Sequence, residues 1–114
     1  VSQAEIYRNY YAISVCNGEG LASPTIVGAQ AANELLNIKG IKASFVLTQY
    51  QGRIYVSARS IDEANVQVVM ERMGGGGHMN MAGCQVDGAA GLDEVRGTIK
   101  ATLDKMIEEG ELKG

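Results

Sequence analysis

The run Gly74-Gly75-Gly76-Gly77-His78, which includes the chain's only histidine, constrains the fold and function of this sequence most. Four residues without a Cβ atom let the backbone adopt positive φ angles and approach a ligand closely, at a cost in conformational entropy. Successive backbone N–H groups turned inward would form a concave anion site. A short helix beginning near His78 would add its unpaired N–H groups to that site, with the imidazole at the rim.

A purely structural interpretation of the same run is also open. Gly74 can cap a preceding helix in a left-handed conformation, and the remaining glycines can act as a linker. One glycine suffices for a cap, so this interpretation leaves three glycines unexplained. The run has neither the GxGxxG pattern nor the lysine of a phosphate-binding loop, and spacing alone therefore leaves both interpretations open.

Length and composition predict one domain with a single core in 114 residues. The net charge is −3, and lysines and arginines are scattered without a run. We therefore expect no long nucleic acid as a partner, whereas a compact anionic ligand is compatible. Cys16 and Cys84 lack metal-ligand spacing and are predicted to be reduced, buried thiols of a cytosolic protein.

The ends and hydropathy of the chain suggest its context. No apolar stretch approaches the roughly 20 residues of a membrane helix, and no signal-peptide pattern is present. The chain begins at Val1 in the middle of a pattern, without a methionine. We therefore expect residues 1–114 to be a single domain cut from a larger, multidomain protein.

The first half of the chain predicts a strand, a helix and a hairpin. Tyr11 to Val15 is an apolar strand, which Asn17-Gly18-Glu19-Gly20 interrupts. Ser23 is then a cap and Pro24 the first residue of a helix that Gly40 closes. The apolar stripe of this helix is formed by Val27, Ala31, Ala32, Leu35 and Leu36.

A hairpin follows from the alternating residues Ala43 to Tyr50, the turn Gln51-Gly52 and a second strand, Arg53 to Arg59. The period of two divides the second strand into two faces. The core face is predicted to hold Ile54, Val56 and Ala58, and the opposite, polar face Arg53, Tyr55, Ser57 and Arg59. We interpret Arg53 as a solvated charge, whereas Arg59 can meet a ligand or form a surface ion pair.

The second half predicts two helices around the glycine run and a last strand. Ser60-Ile61-Asp62-Glu63 has the spacing of a capping box and would open a helix through Met73. Its buried side would be Ile61, Val66, Val69, Met70 and Met73. Cys84 to Val86 reads as a strand, and a helix starts near Leu92. These elements predict an α/β domain with a mixed sheet of about four to five strands and helices packed on it. Arg59 and the glycine run share a rim only if that run folds back toward the sheet edge.

The residues for a complete hydrolytic site are missing. Metal-assisted hydrolysis usually needs several carboxylates and imidazoles around one or two ions, but the four aspartates do not cluster and only one histidine is present. No serine or cysteine has an evident histidine partner with an orienting acid. We therefore expect no catalytic residue, no metal ligand and no hydrolysis from this chain alone.

Three segments resemble a known family: Ser57-Ala58-Arg59-Ser60, Asn65-Val66-Gln67 and the run from Gly74 to Gly83. Together they resemble the C-terminal DHH-associated domain of the DHH phosphoesterase superfamily, across nearly the whole chain. The amino-acid sequences of Ala4 to Arg8 and of Lys42 to Val46 are similar to those of the GdpP-type cyclic di-AMP phosphodiesterases.

The resemblance implies a two-lobed active site. A preceding DHH lobe would bind manganese, and the present lobe would close over cyclic di-AMP while it is opened to the linear dinucleotide. The implied partners are cyclic di-AMP or a short linear adenine dinucleotide and the DHH lobe of the same chain, with a homodimer as a further option. Full-length relatives also carry transmembrane helices, which implies a cytoplasmic domain of a membrane-anchored bacterial protein.

The resemblance also assigns roles to matching residues. Arg59 and His78 would contact phosphate, and Ser57 would orient the arginine or a phosphate oxygen. Gly75, Gly76 and Gly77 would admit the nucleotide against the backbone. Asn80, where relatives often have threonine, completes the implied substrate-binding set.

Two other functions remain open at this stage. The chain can be the substrate lobe of a nanoRNA or phosphoadenosine-phosphate phosphoesterase, which would favour short linear substrates. It can also be an accessory nucleic-acid or tRNA domain, like similar lobes of alanyl-tRNA synthetases, although the absent basic patch argues against this.

Overall fold

The computed structural model describes residues 4–17 and 24–114 and has a mixed six-stranded sheet as its centre. The order of the strands across the sheet is β1-β2-β3-β4-β6-β5. The strands are β1 (Glu5–Tyr7), β2 (Tyr11–Asn17), β3 (Ala43–Tyr50), β4 (Arg53–Ser60), β5 (Gly76–His78) and β6 (Met81–Asp87). The helices are α1 (Pro24–Leu35), α2 (Val66–Arg72) and α3 (Leu92–Glu108), with a 3-10 turn at Gly88–Ala90. The predicted α/β class is confirmed, with one or two strands more than expected.

Helix α1 connects β2 to β3, which pair in parallel. A parallel pair needs such a crossover because a tight turn cannot join its strands. Pro24 is the first residue of α1 as predicted, since its fixed φ angle suits that position. The predicted cap Ser23 and the break at Gly18-Glu19-Gly20 lie outside the described residues. A small core holds α1 against the sheet and contains Ala12, Ala32, Leu35, Ile41 and Val46.

Helices α2 and α3 cover the other face of the sheet and bury the larger core. The predicted core residues Ile54, Val56 and Ala58 lie there, each no more than 2% exposed. The hairpin is confirmed in register, and both turn residues, Gln51 and Gly52, have the positive φ angles of a two-residue hairpin loop. The prediction that the second face of β4 is polar and exposed is partly wrong. Helix α1 packs over this face and leaves Ser57 buried.

The predicted capping box at Ser60 is wrong. Ser60 is the last residue of β4, and its hydroxyl donates to the carbonyl oxygen of Ala64 at 2.6 Å. Helix α2 begins at Val66, and Asn65 caps it by accepting a hydrogen bond from the Val68 N–H at 3.3 Å. Pairing with β3 keeps the chain extended as far as Ser60, and Ile61 is therefore exposed rather than on a buried helix face.

The glycine run ends α2 and then forms a strand. The Gly74 N–H donates to the Glu71 carbonyl and the Gly75 N–H to the Met70 carbonyl, the paired bonds of a helix-terminating Schellman motif. Gly74 has a φ of +90°, as the capping interpretation requires. His78 does not begin a helix but ends edge strand β5, Gly76–His78. The linker interpretation of these glycines is therefore wrong.

The remaining elements follow the predicted order with longer bounds. Strand β6 extends from Met81 to Asp87 rather than over Cys84 to Val86, and α3 begins at Leu92 as predicted. Within the described residues, no helix is both long enough and apolar enough to cross a membrane.

Candidate functional site

Strands β4, β6 and β5 align the predicted site residues in two rows. Met81 pairs with Arg59 on one side and with His78 on the other. Gly83 likewise pairs with Ser57 and with Gly76. Directly opposed residues of antiparallel strands project from the same face of the sheet, so each row presents its side chains together.

An open trough of about 670 Å³ lies on this face, between α1 and the β5 edge. Its floor includes the two rows, and Thr25 and Ala29 of α1 form one side. The predicted residues that line it are Ser57, Arg59, Gly75, Gly76, Gly77 and His78. The glycine run thus folds back to the sheet, which places it on the same rim as Arg59.

The glycines of the run differ in whether packing would admit a side chain. A Cβ atom at Gly75 would lie 2.1 Å from the Gly83 carbonyl oxygen, and one at Gly77 would lie 2.5 Å from the Met81 carbonyl oxygen. Gly77 also has a φ of +145°, which L side chains rarely adopt. A Cβ at Gly76 would meet nothing within 4 Å. Gly76 is therefore the member of the strand that packing does not require, and a side chain there would stand in the trough.

Arg59 brings an incompletely paired guanidinium group to the trough. Its Nη1 donates to the Ala58 carbonyl oxygen at 2.8 Å, but its Nε is buried without a hydrogen-bond partner. Burial lowers the pKa of Arg59, and within residues 4–17 and 24–114 no carboxylate forms an ion pair with it. An unpaired buried donor on a cation is costly. Among the described residues, the Arg59 guanidinium therefore has no counter-ion where it lines the trough.

His78 and Ser57 stand at different depths in the trough. His78 is exposed at the sheet edge, in the row of Arg59. Ser57 is only 9% exposed, because α1 passes close above it at Gly28. A Cβ atom at Gly28 would lie 3.2 Å from the Ser57 Oγ. The imidazole is thus accessible from solvent, whereas Ser57 is almost fully buried where it lines the trough.

Asn80 is not brought into the trough. Its side-chain Nδ2 donates to the Ser60 Oγ at 2.9 Å and to the Asp62 carbonyl oxygen at 3.3 Å. These bonds tie the β5–β6 turn to the segment before α2. The structure therefore gives the Asn80 amide a local structural role.

Three residues on the trough face, Tyr55, Met81 and Gln85, were not identified from the sequence as functional candidates. Met81 is 53% exposed between Arg59 and His78, and Tyr55 pairs with Gln85 at the other end of the trough. The signal that identifies Met81 and Gln85 is the period of two, which places them with Gly83 on one face once β6 begins at Met81.

The described residues hold no metal-ligating cluster. No three side chains of histidine, cysteine, aspartate or glutamate come together within the part of the chain that the structure covers. Cys84 is buried beneath the trough, and burial raises the pKa of its thiol to about 11. It is therefore a neutral thiol near pH 7 rather than a reactive thiolate.

Comparison with known proteins identifies the family. The DHHA1 domain matches residues 10–105, and the chain therefore belongs to the DHHA1 domain family. This result confirms the membership that the sequence motifs predict.

Among curated proteins, the chain is similar to cyclic-di-AMP phosphodiesterases. The chain is 41% identical over 87 residues to the cyclic-di-AMP phosphodiesterase PdeA of Listeria monocytogenes, a match that covers 75% of this chain and 13% of that protein. It is 32% identical over 112 residues to the cyclic-di-AMP phosphodiesterase GdpP of Bacillus subtilis, covering 96% of this chain and 17% of that protein. The chain thus spans less than a fifth of the length of these relatives.

A solved structure supports the fold. An exopolyphosphatase-related protein from Bacteroides fragilis superimposes with a TM-score of 0.77 at 22% identity, covering 92% of this chain and 32% of that one. At this identity, the similarity concerns the fold alone.

Proposed function

We propose that this chain is the substrate-binding lobe of a phosphodiesterase that hydrolyses cyclic di-AMP to the linear dinucleotide. The observation that carries the proposal is the Arg59 guanidinium, whose buried Nε has no partner beside an open trough. In this proposal, the phosphate lies between Arg59 and His78, over the backbone of the glycine strand.

The geometry of the trough supports a phosphate ligand. Adjacent strands are about 4.8 Å apart, so the Cα atoms of Arg59 and His78 lie about 10 Å apart, with their side chains on the same face. A guanidinium can donate two hydrogen bonds to the oxygens of one phosphate, and the imidazole can donate a further one. The bare backbone at Gly76 and Gly83 leaves room for the sugar.

The open side of the trough supports a second lobe. Binding sites for small molecules usually enclose most of the ligand, whereas this trough is walled on one side by α1 and open above the sheet. We propose that a DHH lobe of the same protein closes the trough and holds manganese there, because the described part of this chain has no ligand cluster. Membrane anchoring of that protein is part of the same proposal.

The choice of substrate rests on the relatives. PdeA and GdpP, both named for cyclic di-AMP, match most of this chain at 32–41% identity. We propose that the protein containing this chain acts on the same substrate.

Hydrolysis by the full-length protein tests the proposal. The purified protein with Mn²⁺ is incubated with cyclic di-AMP, cyclic di-GMP, linear pApA, a short RNA and phosphoadenosine phosphate, and the products are separated by chromatography. We expect cyclic di-AMP to be opened fastest, with linear pApA as product. Faster cleavage of the linear substrates would contradict the proposal and favour the nanoRNA or phosphoadenosine-phosphate alternative.

A further inference from the structure

We propose that Tyr55 and Gln85 form a nucleobase subsite at the end of the trough remote from Arg59. This proposal rests on the proposed function, since it takes the phosphate to lie between Arg59 and His78. The base of the same ligand would lie at the Tyr55–Gln85 end of the trough, where Gln85 would recognise it.

Strand register places the two side chains together. Tyr55 of β4 pairs directly with Gln85 of β6, and both line the trough. They lie four residues along their strands from Arg59 and Met81, a separation of about 13 Å between Cα rows. The row between them consists of Ser57, Gly83 and Gly76, so no large side chain interrupts the floor.

The two ends of the trough differ in charge. The Arg59 end carries a guanidinium and an imidazole, whereas Tyr55 and Gln85 at the other end are the uncharged pair among the described lining residues. The next pair on the same face of the strands, Arg53 and Asp87, carries opposite charges and does not line the trough. A ligand that matches both ends is anionic at one end and neutral at the other.

The chemistry of Tyr55 and Gln85 suits a nucleobase. A glutamine amide both donates and accepts hydrogen bonds, as the paired donor and acceptor on the edge of adenine require. A tyrosine ring offers a face on which a base can stack. Gln85 is exposed, and within the described residues its side-chain amide makes no hydrogen bond, so this amide is available to a ligand.

The size of the trough also exceeds that of a phosphate site. Its volume of about 670 Å³ lies within the range of pockets that hold small organic ligands. A phosphate between Arg59 and His78 occupies one end only, and a nucleoside accounts for the remainder.

Three probes in the full-length protein test the subsite by calorimetry: AMP, GMP and ribose 5-phosphate. The wild-type protein should bind AMP at least tenfold more tightly than ribose 5-phosphate. Gln85→Ala should weaken AMP binding about tenfold and leave ribose 5-phosphate binding unchanged. Tyr55→Leu should weaken AMP binding to a similar extent, whereas Tyr55→Phe keeps the ring and should bind AMP like the wild type.

A matched control is Gln49→Ala, which removes an exposed glutamine of β3 that does not line the trough. It should leave the binding of all three probes unchanged. Equal binding of AMP and ribose 5-phosphate by the wild type would overturn the subsite. The same loss for both probes in Gln85→Ala would also overturn it.

The same titrations separate this proposal from the proposed function. Arg59→Ala should weaken AMP and ribose 5-phosphate equally, since both contain the phosphate. If Arg59→Ala leaves both unchanged, the phosphate site fails, whatever Gln85 does. If the protein selects AMP through Gln85 but does not cleave cyclic di-AMP, the base subsite stands and the proposed reaction fails.

Discussion

Arg59 and His78 lie two strands apart, in register through Met81, which pairs with both. Their side chains therefore project from one face of the sheet although 18 residues of sequence and helix α2 intervene between them. The pair brackets an exposed methionine with two hydrogen-bond donors. An anion between them would contact both ends of the row.

Arg59→Ala in the full-length protein should reduce kcat/KM for cyclic di-AMP about ten- to a hundredfold. The reason is the loss of a charge-assisted contact, which contributes roughly 1.5–3 kcal/mol. Steady-state kinetics and a melting curve of each protein check this expectation. The melting temperature should change little, because the guanidinium has no ion pair within the described residues.

Arg53→Ala is the matched control for that experiment. Arg53 lies on the same strand and the same face as Arg59, but it is exposed and does not line the trough. Its replacement should leave kcat/KM within about twofold of the wild type. A large fall in melting temperature with unchanged kinetics in Arg59→Ala would make Arg59 a structural residue.

His78→Ala should reduce hydrolysis of cyclic di-AMP strongly while the bound manganese stays the same. The imidazole is exposed in the row of Arg59 and has no ligand cluster around it within the described residues. His78→Gln keeps one donor and should retain more activity than His78→Ala. Metal analysis of both purified variants decides between the roles, since loss of manganese would identify His78 as a metal ligand.

Gly76 and Gly75 should respond oppositely to substitution. Gly76→Val places a side chain in open space on the trough floor, so activity should fall about tenfold or more while the melting temperature stays within a few degrees. Gly75→Ala drives a Cβ atom against the Gly83 carbonyl oxygen and should cost about 1–3 kcal/mol of stability. Thermal melts and kinetics of the two variants measure both effects. Full activity in Gly76→Val would show that substrate does not use the floor.

The two cysteines allow a test of burial beneath the trough. Burial raises the pKa of Cys84 to about 11 from an ordinary value of 9.0, so at pH 9 about 1% of it is thiolate. In a Cys16→Ala background, alkylation of Cys84 at pH 9 should be at least roughly fiftyfold slower than that of an unfolded control. The rate should rise about tenfold per pH unit until pH 11. A plateau reached near pH 9 would contradict the buried environment.

Much of the fold follows from local sequence patterns. The hairpin at Gln51-Gly52 is predictable because alternation and turn residues agree, and Pro24 marks the start of α1 through its fixed φ angle. The start of α2 is not predictable in this way. The spacing of Ser60 and Glu63 satisfies a capping box, but pairing of β4 with its neighbours competes with the helix for Ser60.

The candidate site likewise has a part that the sequence predicts and a part that it does not. The glycine run, Arg59 and His78 are recognised from their residue types and from the family resemblance. Their register through Met81 and the pairing of Tyr55 with Gln85 depend on contacts between strands distant in sequence. The edge strand Gly76–His78 is also not predictable from the sequence, because its glycines have little strand propensity. These residues form a strand by pairing with β6.

Phosphate binding beside Arg59 is tested most directly by NMR. The chain is labelled with ¹⁵N and titrated with linear pApA while the Arg59 Nε–H signal is recorded. We expect the Arg59 Nε–H signal and the amide signals of Gly75 to Gly77 to shift saturably, whereas the Arg53 Nε–H signal should not move. Because the proposed second lobe is absent, the affinity should be weak. An unchanged Arg59 signal at millimolar pApA, or equal shifts of Arg59 and Arg53, would contradict phosphate binding in the trough.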